Sequence, residues 1–263
     1  MLELGKKLIK EGFEVAEDYI PQTLIRKLIR SADNSFLNLQ RHSTLRQSTN
    51  QTGVAHHVLN QSENYLLLLS KVVQLVRNTK FFDSKFILDT FVIANAFKSE
   101  GKSYTQEWHI DSRRLPEWLN IHPKGKNLLL NLLIPLTEFK AETGATQYIE
   151  NSHQTNFTSD TNFKNNAIKT MVGNPGDVFL FNSNLIHRAG NNSSSIPRTA
   201  IAIMFIVPWL KQQYDYASHW SEHNFVEKWG KEIGTIVGYG SQIPCSLDEW
   251  YQPKEKRKNR GYK

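Results

Sequence analysis

Between residues 85 and 208 the chain repeats one pattern: short apolar runs, rich in β-branched and aromatic residues, broken by turn-forming clusters. "KFILDTFVIANAFK", "KNLLLNLLIPLTEF", "GATQYIEN", "GDVFLFNSN" and "RTAIAIMFIVPW" each have the length and composition of a strand. The break "NPGD" sets Pro175 before Gly176, the order a type II turn requires. Several runs are apolar at successive positions, as expected of strands with helices covering one face and a core on the other. Helical patterns flank them. "PQTLIRKLIRSA" places Leu24, Leu28 and Ile29 at helical spacing behind a Pro, and "SENYLLLLSKVVQLVRN" begins on a Ser cap. "EHNFVEKWGKEI" reads as a further helix beyond Pro208. The expected class is α+β, mainly β, with a sandwich or barrel between helices.

Composition narrows the function classes. In 263 residues, 39% hydrophobic, a real core can form, and no linker or repeat divides the chain. We therefore expect one domain over residues 1–253. The longest apolar run, "LLLNLLIPL", is broken by Asn131 and Pro135 and is too short to span a bilayer. The opening "MLELGKKLIKEG" is charged and amphipathic, unlike the apolar core of a signal peptide. The single cysteine, Cys245, excludes a disulfide framework and a cysteine zinc site. A cytoplasmic protein is the plain expectation. The formal charge is +7, but "KEKRKNRGYK" (254–263) holds six Lys/Arg and one Glu, so the rest is nearly balanced. That segment reads as a disordered basic tail. With only Tyr262 interleaved there, a stacking platform for nucleic acid is poorly supported.

Chemistry enters at "EWHIDSRR" (107–114), where His109 and Asp111 stand two apart. With nine His and 25 acidic residues, about one His-x-Asp/Glu is expected by chance, and one is found, so the motif needs support elsewhere. In a strand, residues two apart share a face, so both side chains can reach one ion. An imidazole and a carboxylate, joined by a second His and leaving positions open, form the three-ligand face of non-haem iron oxygenases. Most other histidines (His42, His122, His153, His219 and His223) stand in polar or turn segments, and the adjacent His56 and His57 could line a pocket mouth. His187 differs: it ends "GDVFLFNSNLIH", where an apolar run gives way to the polar "RAGNNSSS". Eleven residues on, Arg198 opens an apolar strand. A cation there must find a partner or reach water. A carboxylate held through two hydrogen bonds is such a partner.

From "WHID" through "ETGATQYIENSH" and "NPGDVFLFNSNLIH" to "HRAGNNSSSIPR", the chain resembles the phytanoyl-CoA dioxygenase (PhyH) family. This is the branch of Fe(II)/2-oxoglutarate-dependent oxygenases that includes ectoine hydroxylase. The likeness covers residues 85–208 in order. It implies a double-stranded β-helix (jelly-roll, cupin-like) core and Fe(II) held by His109, Asp111 and His187. It further implies that Arg198 binds the distal carboxylate of 2-oxoglutarate. Dioxygen is the other cosubstrate, and the reaction implied is hydroxylation of a C–H bond with decarboxylation of 2-oxoglutarate to succinate. Asn131 stands where some relatives place a polar group on the cosubstrate; an internal hydrogen-bonding role within the barrel competes equally. Relatives often carry Ser two residues past the distal His, where this chain has Ala189. Thr199, Asn131 or a water is expected to supply the missing hydrogen bond.

Halogenating relatives replace the metal-binding carboxylate with a small residue, so Asp111 favours oxygen transfer and leaves desaturation and cyclisation open. Trp108, Arg113, Arg114, Trp118 and the 42–57 loop are the candidate lining of a pocket for a small, anionic metabolite. The rivals are a non-catalytic jelly-roll protein, a nucleic-acid-associated protein using the basic tail, and a cupin-like metal enzyme of other chemistry. Oligomeric state is not legible.

Overall fold

A computed structural model describes residues 4–39, 52–83, 85–96, 106–112, 128–154, 168–220, 225–240 and 246–253. The elements in chain order are α1 (Lys6–Glu11), β1 (Phe13–Ala16), α2 (Gln22–Leu39), β2 (Thr52–His56), α3 (Glu63–Thr79), β3 (Ile87–Ala96) and β4 (Leu129–Pro135). There follow β5 (Gln147–Ile149), β6 (Ile168–Thr170), β7 (Val178–Asn182), β8 (His187–Arg188), β9 (Arg198–Ile206), α4 (Tyr216–His219), α5 (Phe225–Ile236) and α6 (Leu247–Tyr251).

Two sheets form. The large one has the order β1-β7-β4-β9-β3-β2 and the small one β6-β5-β8, with every pairing antiparallel. This is the jelly-roll core expected, and the long-range order brings residues 13–16 beside 178–181. Such pairings have no hairpin signature, so the sequence showed neither β1 nor β2.

Strand alternation divides the large sheet into two faces. On one, Phe91 and Ile93 of β3, Leu130, Leu132 and Ile134 of β4 and Ile201, Ile203 and Phe205 of β9 pack with α2, α3 and α5. This explains why these strands are apolar on both sides. On the other, Leu133, Phe179, Phe181 and Ala200 join Phe139, Tyr148 and Met171 in an inner core between the sheets. The register of β3 shifts between Leu88 and Thr90, leaving Asp89 as an extra residue. It is fully buried, accepting bonds from the Gln213 backbone and side-chain amide at 2.9 Å each.

Local signals account for the ends of elements. Ser62 caps α3 by accepting from the Asn64 N–H at 3.3 Å, a contribution of about 1 kcal/mol in typical cases. Gly176 has φ 113°, and the Asp177 N–H closes the NPGD turn on the Asn174 carbonyl at 3.1 Å. α5 forms where expected but kinks at Gly230, whose φ is 84°. No helix among the described residues is long and apolar enough to cross a membrane.

Candidate metal centre

The HID segment joins the small sheet by a single rung beside β8. His109 and His187 exchange both backbone hydrogen bonds, at 3.0 and 2.9 Å, and the Asp111 N–H donates to the Ser183 carbonyl at 2.9 Å. Residues directly opposite in an antiparallel pair share a face, so the two imidazoles lie side by side with centroids 4.4 Å apart. Asp111, two residues on, joins them.

The donor atoms converge. His187 Nε2 is 3.3 Å from Asp111 Oδ2 and His109 Nε2 is 3.8 Å from Asp111 Oδ1; one ligand atom from each residue lies within 4.8 Å of the others. Neighbouring positions of an octahedron with bonds of about 2.1 Å stand about 3 Å apart, so the three fit one ion after a small contraction. Both rings are oriented through their other nitrogen: His109 Nδ1 donates to the Glu107 carbonyl at 2.9 Å and His187 Nδ1 to the Leu185 carbonyl at 2.8 Å. That leaves each Nε2 lone pair for a metal, the arrangement metal-ligating histidines adopt.

Electrostatics suit the same role. Burial pushes the His109 imidazole down and the adjacent His187 pushes it further, with Asp111 opposing incompletely, so it is neutral at pH 7. For His187 burial also lowers the value, but the Asp111 carboxylate and the Leu185 carbonyl outweigh it and hold the ring above the ordinary histidine value. Burial raises the Asp111 carboxyl, yet the two histidines and the Asn131 amide reverse this and bring it to about 2. The carboxylate is therefore ionised throughout the physiological range.

Asn131 on β4 donates from Nδ2 to Asp111 Oδ2 at 2.6 Å and accepts from Ser183 Oγ at 3.2 Å. Its amide is thus engaged in orienting the carboxylate. Ser183, which also tethers the Asp111 backbone, was not legible as a site residue.

Arg198 opens β9, 6% exposed. One terminal nitrogen donates to Thr146 Oγ1 at 3.2 Å, the guanidinium lies 4.8 Å from the Phe139 ring centre, and its buried Nε has no partner. Among the described residues no carboxylate pairs with it. Burial lowers it to about 10, leaving it charged at pH 7. An unpaired buried cation is costly, and an anionic ligand would relieve it. The segments "ETGAT" and "HRAGN" meet beside it: a Cβ on Gly190 would stand 2.6 Å from the Ala145 carbonyl oxygen. Asn192 Nδ2 donates to the Ala96 and Ile196 carbonyls at 2.9 Å each, tying the loop before Arg198 to β3.

Other expected site residues fall elsewhere. Thr199 alternates with Ile201 and Ile203 toward the helices, so its side chain faces away from Arg198; Thr146 is the hydroxyl that reaches the guanidinium. Trp108, beside His109, takes the opposite face of its strand, where its ring lies 4.2 Å from the Arg188 guanidinium. Arg188 in turn donates to Gln147 Oε1 at 2.9 Å. Arg113, Arg114, Trp118 and most of the 42–57 loop lie outside the described residues, as do His42, His122 and His223. His57 stacks on Tyr214 at 4.7 Å and bonds Tyr216 at 3.1 Å; His153 bonds the Ile9 carbonyl and His219 the Asn60 side chain, both away from the converging ligands. His56 is exposed, in register with Val92 on the inner face. Two surface clefts of about 540 and 520 Å³ are lined mainly by helical residues such as Arg77 and Glu232, or Lys27 and Lys71, and by none of the converging ligands.

Comparison with known proteins gives a consistent result. The profile of the phytanoyl-CoA dioxygenase (PhyH) family matches residues 11–200. Uncharacterized protein Rv1501 of Mycobacterium tuberculosis is 33% identical over 129 residues, covering 49% of this chain and 46% of that protein. Dioxygenase easH of Epichloe festucae var. lolii is 31% identical over 124 residues, covering 45% and 64%. The matched part is thus less than two thirds of either relative's length. Among solved structures, the α-ketoglutarate-dependent carbocyclase SnoK superposes with a TM-score of 0.65 at 15% identity, covering 85% of this chain and 91% of that one. The epimerase SnoN, in complex with Fe3+, α-ketoglutarate and nogalamycin RO, gives 0.61 at 15% identity, covering 77% and 82%.

Proposed function

The chain belongs to the phytanoyl-CoA dioxygenase family, and on that basis we propose that it is an Fe(II)- and 2-oxoglutarate-dependent dioxygenase hydroxylating a C–H bond of a small organic substrate. The observation that carries this is the convergence of His109, Asp111 and His187, each imidazole turned by a backbone carbonyl so that Nε2 faces the carboxylate. With both cofactors bound, the chemistry supplied is conversion of substrate, 2-oxoglutarate and dioxygen to hydroxylated product, succinate and carbon dioxide.

The protein's own contribution is positional. His109 offers a neutral nitrogen, His187 one from which metal must displace a proton as pH falls, and Asp111 a permanent negative charge, held in orientation by Asn131. Arg198 neutralises the distal carboxylate of 2-oxoglutarate, and Thr146 aims the guanidinium and supplies the hydroxyl missing at Ala189. The inner face of the sheet between Arg198 and Asn131 carries small side chains: Ala200 and Ala202 on β9, Ala94 and Val92 on β3. Ala202, Ala94 and Val92 are only partly buried there, whereas Leu133 and Phe179 in neighbouring strands are packed. This is the face on which we place the cosubstrate and substrate.

The carbocyclase and epimerase among the structural neighbours favour a second reading, in which the same cofactors drive ring closure or another hydrogen-abstraction outcome. Product analysis separates it from hydroxylation. The first test is an anaerobic titration of the apoprotein with Fe(II) and then 2-oxoglutarate, followed by the visible metal-to-ligand charge-transfer band. We expect a band only when both are present, and none in His187→Ala. No band in folded, iron-saturated protein would overturn the proposal.

A further inference from the structure

The cleft of about 520 Å³ between α2 and α3 lies on the helix-covered side of the large sheet, and none of the metal ligands lines it. Its volume falls in the range of small-molecule sites. α3 contributes Leu67, Ser70, Lys71 and Gln74, spaced i, i+3, i+4 and i+7 and so on one stripe of the helix. α2 contributes Leu24 and Lys27, and the chain entering it adds Tyr19 and Pro21. These walls are fixed without a ligand. Tyr19 Oη donates to the Lys71 carbonyl at 3.1 Å, tying the entering chain to α3. The Asp18 N–H donates to Asp177 Oδ1 at 2.9 Å and the Ile20 N–H to the Gly176 carbonyl at 2.8 Å, tying the same chain to the NPGD turn. The cleft is therefore preformed.

Its lining holds two kinds of group. Leu67, 43% exposed, joins Leu24, Pro21 and the Tyr19 ring as apolar surface. Lys27 and Lys71 are exposed, and neither pairs with a carboxylate among the described residues. No acid lines the cleft, and Glu232, which accepts from Gln74, is itself paired with Arg77 at 2.9 Å. Two like charges beside one concavity with apolar walls focus a positive potential into it. We propose that this cleft binds a small amphiphilic anion, with its charged head between Lys27 and Lys71 and its apolar body against Leu24, Leu67 and the Tyr19 ring. An uncharged ligand leaves both lysines without a role, and an inorganic anion leaves Leu67 without one.

The test uses 8-anilinonaphthalene-1-sulfonate, a sulfonate on an apolar body, titrated into the full chain loaded anaerobically with Fe(II) and 2-oxoglutarate so that the inner face is occupied. We expect saturable, blue-shifted dye emission. The double variant Lys27→Gln, Lys71→Gln should bind the dye about tenfold more weakly or less, the loss that a charge-assisted bond implies. Leu67→Gln should weaken it as well. Each variant should keep the wild-type melting temperature, because these side chains lie at the surface. The uncharged dye N-phenyl-1-naphthylamine should bind wild type and the lysine variant alike. Absence of saturable emission from wild type overturns the proposal, as does undiminished binding of the sulfonate by the lysine variant, which would place the dye elsewhere. An equal loss for both dyes in that variant overturns it too, because the change would then lie in the shape of the cleft and not in its charge. Each outcome is read without turnover and is independent of the oxygenase assignment.

Discussion

Replacing Asn131 with Leu tests whether the carboxylate ligand depends on a neighbour for its orientation. Leu keeps the branching and heavy-atom count of this 5% exposed side chain, although its methyl groups are bulkier than the amide, so the shape is largely kept while the 2.6 Å bond to Asp111 Oδ2 is lost. A hydrogen bond to a charged group contributes about 1.5–3 kcal/mol, and about 1.4 kcal/mol corresponds to tenfold in affinity. Metal affinity should therefore fall about 10- to 100-fold, the range found for groups behind a metal ligand. The Ser183 hydroxyl loses its acceptor in the same variant, which costs fold stability but not metal affinity directly. Anaerobic calorimetry with Fe(II), followed by separate titration of 2-oxoglutarate into the iron-saturated protein, distinguishes the two roles weighed for Asn131. Unchanged metal affinity with weakened 2-oxoglutarate binding would refute the orienting role and assign Asn131 to the cosubstrate.

Arg198→Met should raise the stability of the ligand-free protein by about 1–3 kcal/mol, since a buried, incompletely partnered cation is removed, and should weaken 2-oxoglutarate binding at least a hundredfold; chemical denaturation and calorimetry read the two effects, and a destabilised variant with normal cosubstrate affinity would contradict the reasoning. Asp111→Ala should abolish iron-dependent turnover while keeping a cooperative melt, and retained turnover would remove that carboxylate from the centre. Because Asp111 holds His187 above the ordinary histidine value, protons compete with metal at this ring: Fe(II) affinity should be full above the raised value and fall as pH drops through it, beginning above pH 6.5, and a titration flat down to pH 6 would count against this. Arg188→Ala, which frees Trp108 on the far face of the ligand strand, should weaken metal binding several-fold with partial rescue by Arg188→Lys; equal loss in both variants would mean that stacking on Trp108 is not what positions the strand.

Strand runs β3, β4, β7 and β9 were legible because apolar and β-branched residues cluster between strong turn signals, and α3 because its cap and its period agree. The edge strands β1 and β2 were not, since their sheet partners lie far along the chain, Phe13 pairing with Phe181, 168 residues on, and Thr52 with Ala96, 44 residues on. His109, Asp111 and His187 were chosen by alternation, strand ends and resemblance, and the structure brings them together. The same alternation, applied to Trp108 and Thr199, would have sent both side chains to the opposite face. Thr146 and Ser183 gave no signal, because a hydroxyl becomes part of a site only through a contact that crosses from one strand to another.

The rung between His109 and His187 has a further consequence. Two segments 78 residues apart carry the candidate ligands and, in the same step of the ladder, supply each other's amide acceptors. A metal bound there would act as a clasp on a short stretch of sheet. Vacating the site leaves residues 106–112 held by a few main-chain bonds to β8 and its approach, the Asn131–Asp111 bond and the Trp108–Arg188 contact, so fraying of this rung and escape of the ion are expected to be coupled. The amide hydrogens of His109 and His187 would then exchange with solvent at a rate set by occupancy, an internal clock for metal residence that needs no substrate to read.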